Sequence, residues 1–167
     1  MFRTNTPRCL IIGCGKGYRE DLVVPHNHTT EYTLDIDPSI QPDFVADITR
    51  TGNFSYMGKF DEIYFENIML PDFQVALNVK SLLIPGRGKV YFVGQHSPHT
   101  LERIKVIYTP LHFNVRMADR ALSQRIREKL FPQILVDCFG TTCSVIELTQ
   151  VPLPSFENAF GFLLNRN

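Results

Sequence analysis

Apolar positions along the chain fall into short blocks with two different periods. The blocks Leu10–Ile12, Tyr32–Leu34, Phe44–Ala46, Asp61–Phe65 and Lys89–Val93 are too short for helices. Each is bounded by glycine, proline or acidic residues, so each predicts a strand. Helical spacing appears from Phe73 to Leu83, where Phe73, Ala76, Leu77, Val79, Leu82 and Leu83 recur at three- and four-residue intervals. Asp72 stands where an N-cap belongs, and Pro85–Gly86 stops the run. A further helix is expected from Pro98, packing Leu101, Ile104 and Ile107. An amphipathic helix is expected over Asn114 to Leu130, with β-rich runs at Gln133–Phe139 and Ser144–Thr149 after it.

The junctions carry the candidate chemistry. The first strand runs into Gly13, Cys14, Gly15, Lys16 and Gly17, a G-x-G-x-G turn whose glycines can take positive φ and bring N–H groups close to a ligand. Such a turn after the first strand of an α/β unit is a nucleotide-cofactor position. A dinucleotide fingerprint would need glycine at Tyr18, and no lysine-serine/threonine pair completes a P-loop. The second strand ends in Asp35, placed where one carboxylate can accept hydrogen bonds from both hydroxyls of a ribose. Asp37–Pro38 starts the turn that follows. The third strand ends in Asp47, and the fourth in Glu66 and Asn67, at the edge where open α/β sheets hold ligands.

These stretches, CLIIGCGKGY, LDIDPSIQPDFVADI, FDEIYFENIML and LLIPGRGKVYF, resemble the motifs of class I S-adenosylmethionine-dependent methyltransferases from Leu10 to Val93. The resemblance implies one Rossmann-like α/β domain over residues 1–167, a doubly wound sheet of seven strands, six parallel and one antiparallel. Its C-terminal antiparallel hairpin would come from Gln133–Phe139 and Ser144–Thr149. The implied cofactor is S-adenosylmethionine. Gly13, Cys14, Gly15 and Gly17 would pass under its methionine and ribose, and Asp35 and Ile36 would meet the ribose. Asp47 and the N–H of Ile48 would read the adenine edge, and Glu66 and Asn67 would face the methionine part or the substrate. The implied reaction is methyl transfer to an O, N, S or C nucleophile, in which positioning supplies much of the catalysis and no general base is required; net neutrality and small size favour a small-molecule acceptor over a protein or sugar one.

The sequence departs from the family in three places. Pro25 follows Gly17 by eight residues, which predicts one turn or a loop in place of a full helix. Ile11 stands where many members have an acid, and no N-terminal substrate cap is recognisable. Two other readings therefore stay open. One is a binding protein that retains the pocket without turnover; the other is an NAD-dependent oxidoreductase, against which Tyr18 argues.

Composition narrows the partners. A formal net charge of zero gives no general pull toward nucleic acid or an anionic membrane, and the basic residues between Arg116 and Lys129 are interleaved with acids, as on a solvated face. The aromatic-proline signature of amino-methylating nucleic-acid enzymes is absent. No apolar run reaches the ~20 residues of a membrane span, and the N-terminus has no signal-peptide core, so a cytoplasmic location is expected. Cys9, Cys14, Cys138 and Cys143 lack C-x-x-C spacing and read as reduced thiols, with no metal site. His26 and His28 read as solvated loop histidines. His96 and His99 fall near the end of the fifth strand, where a base could stand, although a structural role suits them better. The apolar tail (Phe156, Phe160, Phe162, Leu163, Leu164) is expected to pack on the domain or on a second copy in a homodimer.

Overall fold

The computed structural model describes residues 7–13, 31–66, 72–94, 96–129 and 144–152. Its strands are β1 (Cys9–Ile12), β2 (Glu31–Asp35), β3 (Phe44–Val45), β4 (Glu62–Glu66), β5 (Lys89–Gly94), β6 (Phe113–Met117) and β7 (Ser144–Gln150). They form one sheet in the order β3-β2-β1-β4-β5-β7-β6. Pairing is parallel from β3 through β5, and β7 runs antiparallel to both its neighbours. Six strands therefore share one direction and one opposes them, as expected.

β1 shows why the first block is apolar throughout. It lies between β2 and β4, and all four of its residues are buried because the sheet is covered on both faces. On one face, Leu10, Ile12, Leu34, Ile63, Phe65, Val90 and Phe92 join the two helices packed there. The first of these, α1 (Phe73–Leu82), starts at Asp72, whose Oδ1 accepts from Gln74 N at 2.7 Å and Val75 N at 3.2 Å. The second, α2 (Pro98–Tyr108), starts at Ser97 and buries Ile104 and Tyr108, with Leu101 and Ile107 packed at the margin. The opposite face carries Cys9, Ile11, Tyr64, Tyr91, Val93, Val145 and, from α3 (Arg120–Lys129), Ile126.

The segment expected to be one helix, Asn114 to Leu130, is two elements. Phe113–Met117 is the edge strand β6, and only Arg120–Lys129 is helical. Phe113 and Val115 are buried while Asn114 and Arg116 are exposed, a period of two that decides for a strand. Ala118 and Asp119 break the chain, and Asp119 Oδ1 accepts from Leu122 N at 2.8 Å to start α3. Both antiparallel partners of β7 are therefore β5 and β6. Gln133–Phe139, expected as its hairpin partner, lies outside the described residues, as do Pro25, His26, His28, Cys14, Cys138, Cys143 and the apolar tail. Cys9 is buried, and its Sγ donates to Pro7 O at 3.4 Å and to Glu62 Oε2 at 3.6 Å. On α1 the buried side is Val75, Ala76, Asn78, Val79 and Leu82, whereas Phe73 and Leu77 face outward.

Two charged groups are built into the sheet. A row of paired residues runs Ile11, Tyr64, Tyr91, Glu147, Arg116 across five strands. The Glu147 carboxylate, 3% exposed, is paired with Arg116 (2.5 and 2.7 Å) and with Lys89 at 3.7 Å. A buried carboxylate needs such partners, because desolvation without them costs several kcal/mol by order of magnitude, ~3–5 when a pair is broken. At the N-terminal end of β1 the Arg8 guanidinium lies 4.4 Å from the ring centres of both Tyr32 and Phe60, and donates to the carbonyls of Lys59 (3.0 Å) and Met57 (2.7 Å). Gly58 makes this possible: its φ is +78°, and a Cβ there would overlap the guanidinium. Gly58→Ala is expected to lower stability by about 1–3 kcal/mol, read as a lower denaturant midpoint with unchanged slope. An unchanged midpoint would remove Arg8 from the account of this end of the sheet.

Candidate functional site

The candidate site is a cleft at the C-terminal ends of β1, β2 and β3. At the end of β1 the chain passes through Gly13, with φ +78°, while its N–H still donates to Leu34 O at 2.9 Å. That conformation disfavours any side chain, so the first glycine of the turn is required by backbone sterics. β2 ends in Asp35, whose Oδ1 accepts from Asp37 N at 3.0 Å, and Asp37 Oδ1 accepts from Ser39 N at 2.8 Å. These two linked side-chain turns lead into a single turn of 3-10 helix at Pro38–Ile40, and Asp37–Pro38 starts it as expected. They leave Ile36 63% exposed beside the cleft. Ala46 N donates to Asp35 O at 3.0 Å, which holds the end of β3 against the end of β2.

Beyond β3 the chain folds over the cleft through Asp47. Its Oδ1 accepts from Thr49 N (3.0 Å) and Thr49 Oγ1 (2.6 Å), and its Oδ2 from Arg50 Nε (3.0 Å). These bonds, the Thr49 hydroxyl above all, hold the Asp47 carboxyl below its ordinary pKa. The cleft measures about 230 Å³. Gly13, Asp35, Ile36, Asp47 and Ile48, which lie in three separate stretches of sequence, all line it, joined by Thr49. Glu66 ends β4 with its Cα paired to Val93, and nothing of its side chain is described. Cys14, Gly15, Gly17 and Asn67 lie outside the described residues.

No protein-family model matches the chain, and no curated protein matches it either. Solved structures do. A glycopeptide N-methyltransferase, MtfA, complexed with S-adenosylhomocysteine superposes with a TM-score of 0.55 at 10% identity, over 87% of this chain and 84% of that one. The fibrillarin pre-rRNA processing protein of Methanococcus jannaschii gives 0.54 at 13% identity, over 88% and 67%. An amino pentose methyltransferase from Micromonospora echinaspora, with S-adenosylmethionine bound, gives 0.52 at 10% identity, over 89% and 85%. With the strand order and the antiparallel β7, these likenesses settle the architecture. The chain has the class I methyltransferase fold.

Within that fold two residues gain a role that the linear pattern did not disclose. Thr49 holds the Asp47 carboxylate by both its amide and its hydroxyl. Asn78, 4% exposed on α1, donates from Nδ2 to Ile48 O and Arg50 O, both at 2.8 Å. The available signal was a lone amide on the buried stripe of a helix, since a buried amide must find partners. The two histidines near β5 separate. His96 Nε2 donates to Phe92 O at 3.0 Å, and burial lowers the imidazole pKa, whereas His99 is exposed on the first turn of α2. Among the described residues no group of three side chains could hold a metal ion, and no helix is long and apolar enough to cross a membrane.

The depressed Asp47 pKa has a definite sign. Bonds that favour the carboxylate are present above its ordinary value, near ~3.9, and are lost as pH falls through the lower folded value. In a carboxyl-detected NMR titration Asp47 is expected to titrate below an ordinary aspartate. Thr49→Val, which removes the hydroxyl bond, is expected to move it upward. A normal Asp47 pKa, or one indifferent to Thr49→Val, would contradict the geometry of this turn.

Proposed function

We propose that residues 1–167 form a single domain that binds S-adenosylmethionine in this cleft and transfers its methyl group to a small-molecule acceptor. The observation that carries the reading is the convergence of Gly13, Asp35 and the Asp47–Ile48 turn on one cleft at the C-terminal edge of a methyltransferase-type sheet. Two proteins of the same fold support it, one described with S-adenosylhomocysteine and one with S-adenosylmethionine.

The residues present fit this cofactor. Asp35 lines the cleft at the end of β2, and a carboxylate there suits the paired hydroxyls of a ribose. Ile36, largely exposed, offers apolar surface to a flat ring, and the nearly buried Ile48 lines the cleft from the loop after β3. The Asp47 carboxylate accepts three hydrogen bonds, which leaves about one of its ~4 lone-pair sites for an exocyclic amine. At about 230 Å³ the cleft is smaller than the roughly 300–1,000 Å³ of a whole small-molecule site, so it suits the nucleoside end alone. Gly15, Gly17, Glu66 and Asn67 would serve the methionine end. When bound, the cofactor supplies an electrophilic sulfonium methyl for an O, N, S or C nucleophile. The protein's part is to hold the two reactants in line. A small acceptor accords with the zero formal net charge.

Calorimetry with S-adenosylmethionine and S-adenosylhomocysteine tests the reading. Both are expected to bind in the micromolar range. Asp35→Ala is expected to weaken both by about 10- to 100-fold, since hydrogen bonds to a charged group contribute ~1.5–3 kcal/mol. Folded protein that binds neither ligand would refute the assignment. Binding without methyl transfer to any of a broad acceptor panel would instead indicate a cofactor-binding protein.

A further inference from the structure

We propose that Asn78 is a positioning residue for recognition of the base: from helix α1 it sets the peptide that aims the Asp47 carboxylate and the Ile48 N–H at the adenine edge. The proposal rests on the methyltransferase reading above and adds a residue outside the cleft to it.

The argument begins with how fully Asn78 is used. It lies on the buried side of α1, and all its polar atoms are engaged. Both donors of Nδ2 go to carbonyls, those of Ile48 and Arg50, and Oδ1 accepts from Gln74 Nε2 at 3.0 Å. Gln74, one turn earlier on the helix, also accepts from the Thr51 hydroxyl at 3.1 Å through Oε1. The pair Gln74–Asn78 therefore holds the whole stretch 48–51 against α1, although neither residue lines the cleft.

The consequence reaches the cleft through a single peptide group. The unit joining Ile48 to Thr49 has its C=O held by Asn78 and its N–H held by the Asp47 carboxylate. A peptide is a rigid plane, so fixing both of its ends fixes its rotation. That rotation sets where Asp47 Oδ1 can sit, and with it the remaining acceptor edge of the carboxylate. The preceding peptide, whose N–H belongs to Ile48, is joined to this plane at the Ile48 Cα, so holding the one narrows the φ/ψ range open to the other. Without the amide of Asn78, two carbonyls lose their donors, and the plane can relieve one of them by rotating. Rotation would take Thr49 N–H away from Asp47 and release the carboxylate. The Asp35 carboxylate stands at the end of β2, where its Oδ1 accepts from Asp37 N in a turn that Asn78 does not enter.

Asn78 should therefore act on the base and not on the sugar. The test compares S-adenosylhomocysteine with S-inosylhomocysteine, in which a carbonyl replaces the exocyclic amine, by calorimetry on the full chain. The wild type is expected to prefer the adenine ligand. Asn78→Leu, which keeps the branching at Cγ but cannot donate, is expected to lose about tenfold in affinity for S-adenosylhomocysteine and to bind the two ligands nearly equally. Asp35→Ala is expected to weaken both by the same factor, leaving the preference intact. Hydrogen exchange of the Thr49 amide should speed up in Asn78→Leu without any ligand. Should Asn78→Leu fail to give a cooperative melt, Gln74→Ala removes only the support of Oδ1 and should shift the preference in the same direction by less. A folded Asn78→Leu, or Gln74→Ala in its place, that keeps the wild-type preference overturns the proposal while leaving the cofactor assignment standing. Wild-type protein that binds neither ligand overturns both.

Discussion

The rest of the structure depends on the burial of β1 between two parallel neighbours. Leu10 and Ile12 face one core and Cys9 and Ile11 the other, and the strand has no solvent face at all. In parallel pairing with β2 and β4, its end falls level with theirs: Ile12 is in register with Leu34 and Phe65. Every loop leaving that edge starts from the same level, so the backbone itself gathers Gly13 and Asp35 although they lie far apart in sequence. Slipping the register by one residue would turn each buried side chain to the wrong face, and this holds the alignment.

Charge and hydrogen bonding are distributed to match. Beneath the sheet, Arg8 is held between two aromatic rings and two carbonyls. At the far strands, Glu147 is enclosed but paired with two cations. Both are fully engaged and belong to the scaffold. At the cleft the pattern differs: the Asp35 and Asp47 carboxylates both shape their own turns, Asp35 through Oδ1 and Asp47 through both oxygens, while lining the cleft. A group that serves the turn and the ligand at once is already oriented when the ligand arrives, which cuts the ordering cost of binding.

Such orientation needs a rigid backing, and α1 supplies it. Its buried stripe anchors Val75, Ala76, Val79 and Leu82 in the core, and Asn78, on the same side, reaches the loop after β3. The hydrophobic core thereby reaches the cleft through one amide. The loop has little apolar anchorage of its own apart from Ile48, so its conformation follows the helix.

Much of this was legible in the linear pattern, for local reasons. The five parallel strands follow from short apolar blocks closed by turn residues. The need for glycine at position 13 follows from the turn, and Asp35, Ile36, Asp47 and Ile48 follow from where their strands stop. What determines each of these lies within a few residues in sequence. The expected helix from Asn114 to Leu130 failed because Val115, Ala118 and Leu122 also fit a helical period. Only the free edge of β7, offering its backbone to Phe113–Met117, resolves that ambiguity in favour of β6. Asn78 was silent for a similar reason: an amide among Val75, Ala76, Val79 and Leu82 signals that partners exist without naming them. Its partners lie 28 and 30 residues away, and only the packing of α1 against the sheet brings them within 2.8 Å. Sequence by itself determined the parallel strands β1 to β5, the helices α1 and α2, and the residues at the strand ends. Tertiary structure decided which edge β6 completes and which helix holds the base-reading turn, because both depend on contacts between segments that no local period encodes.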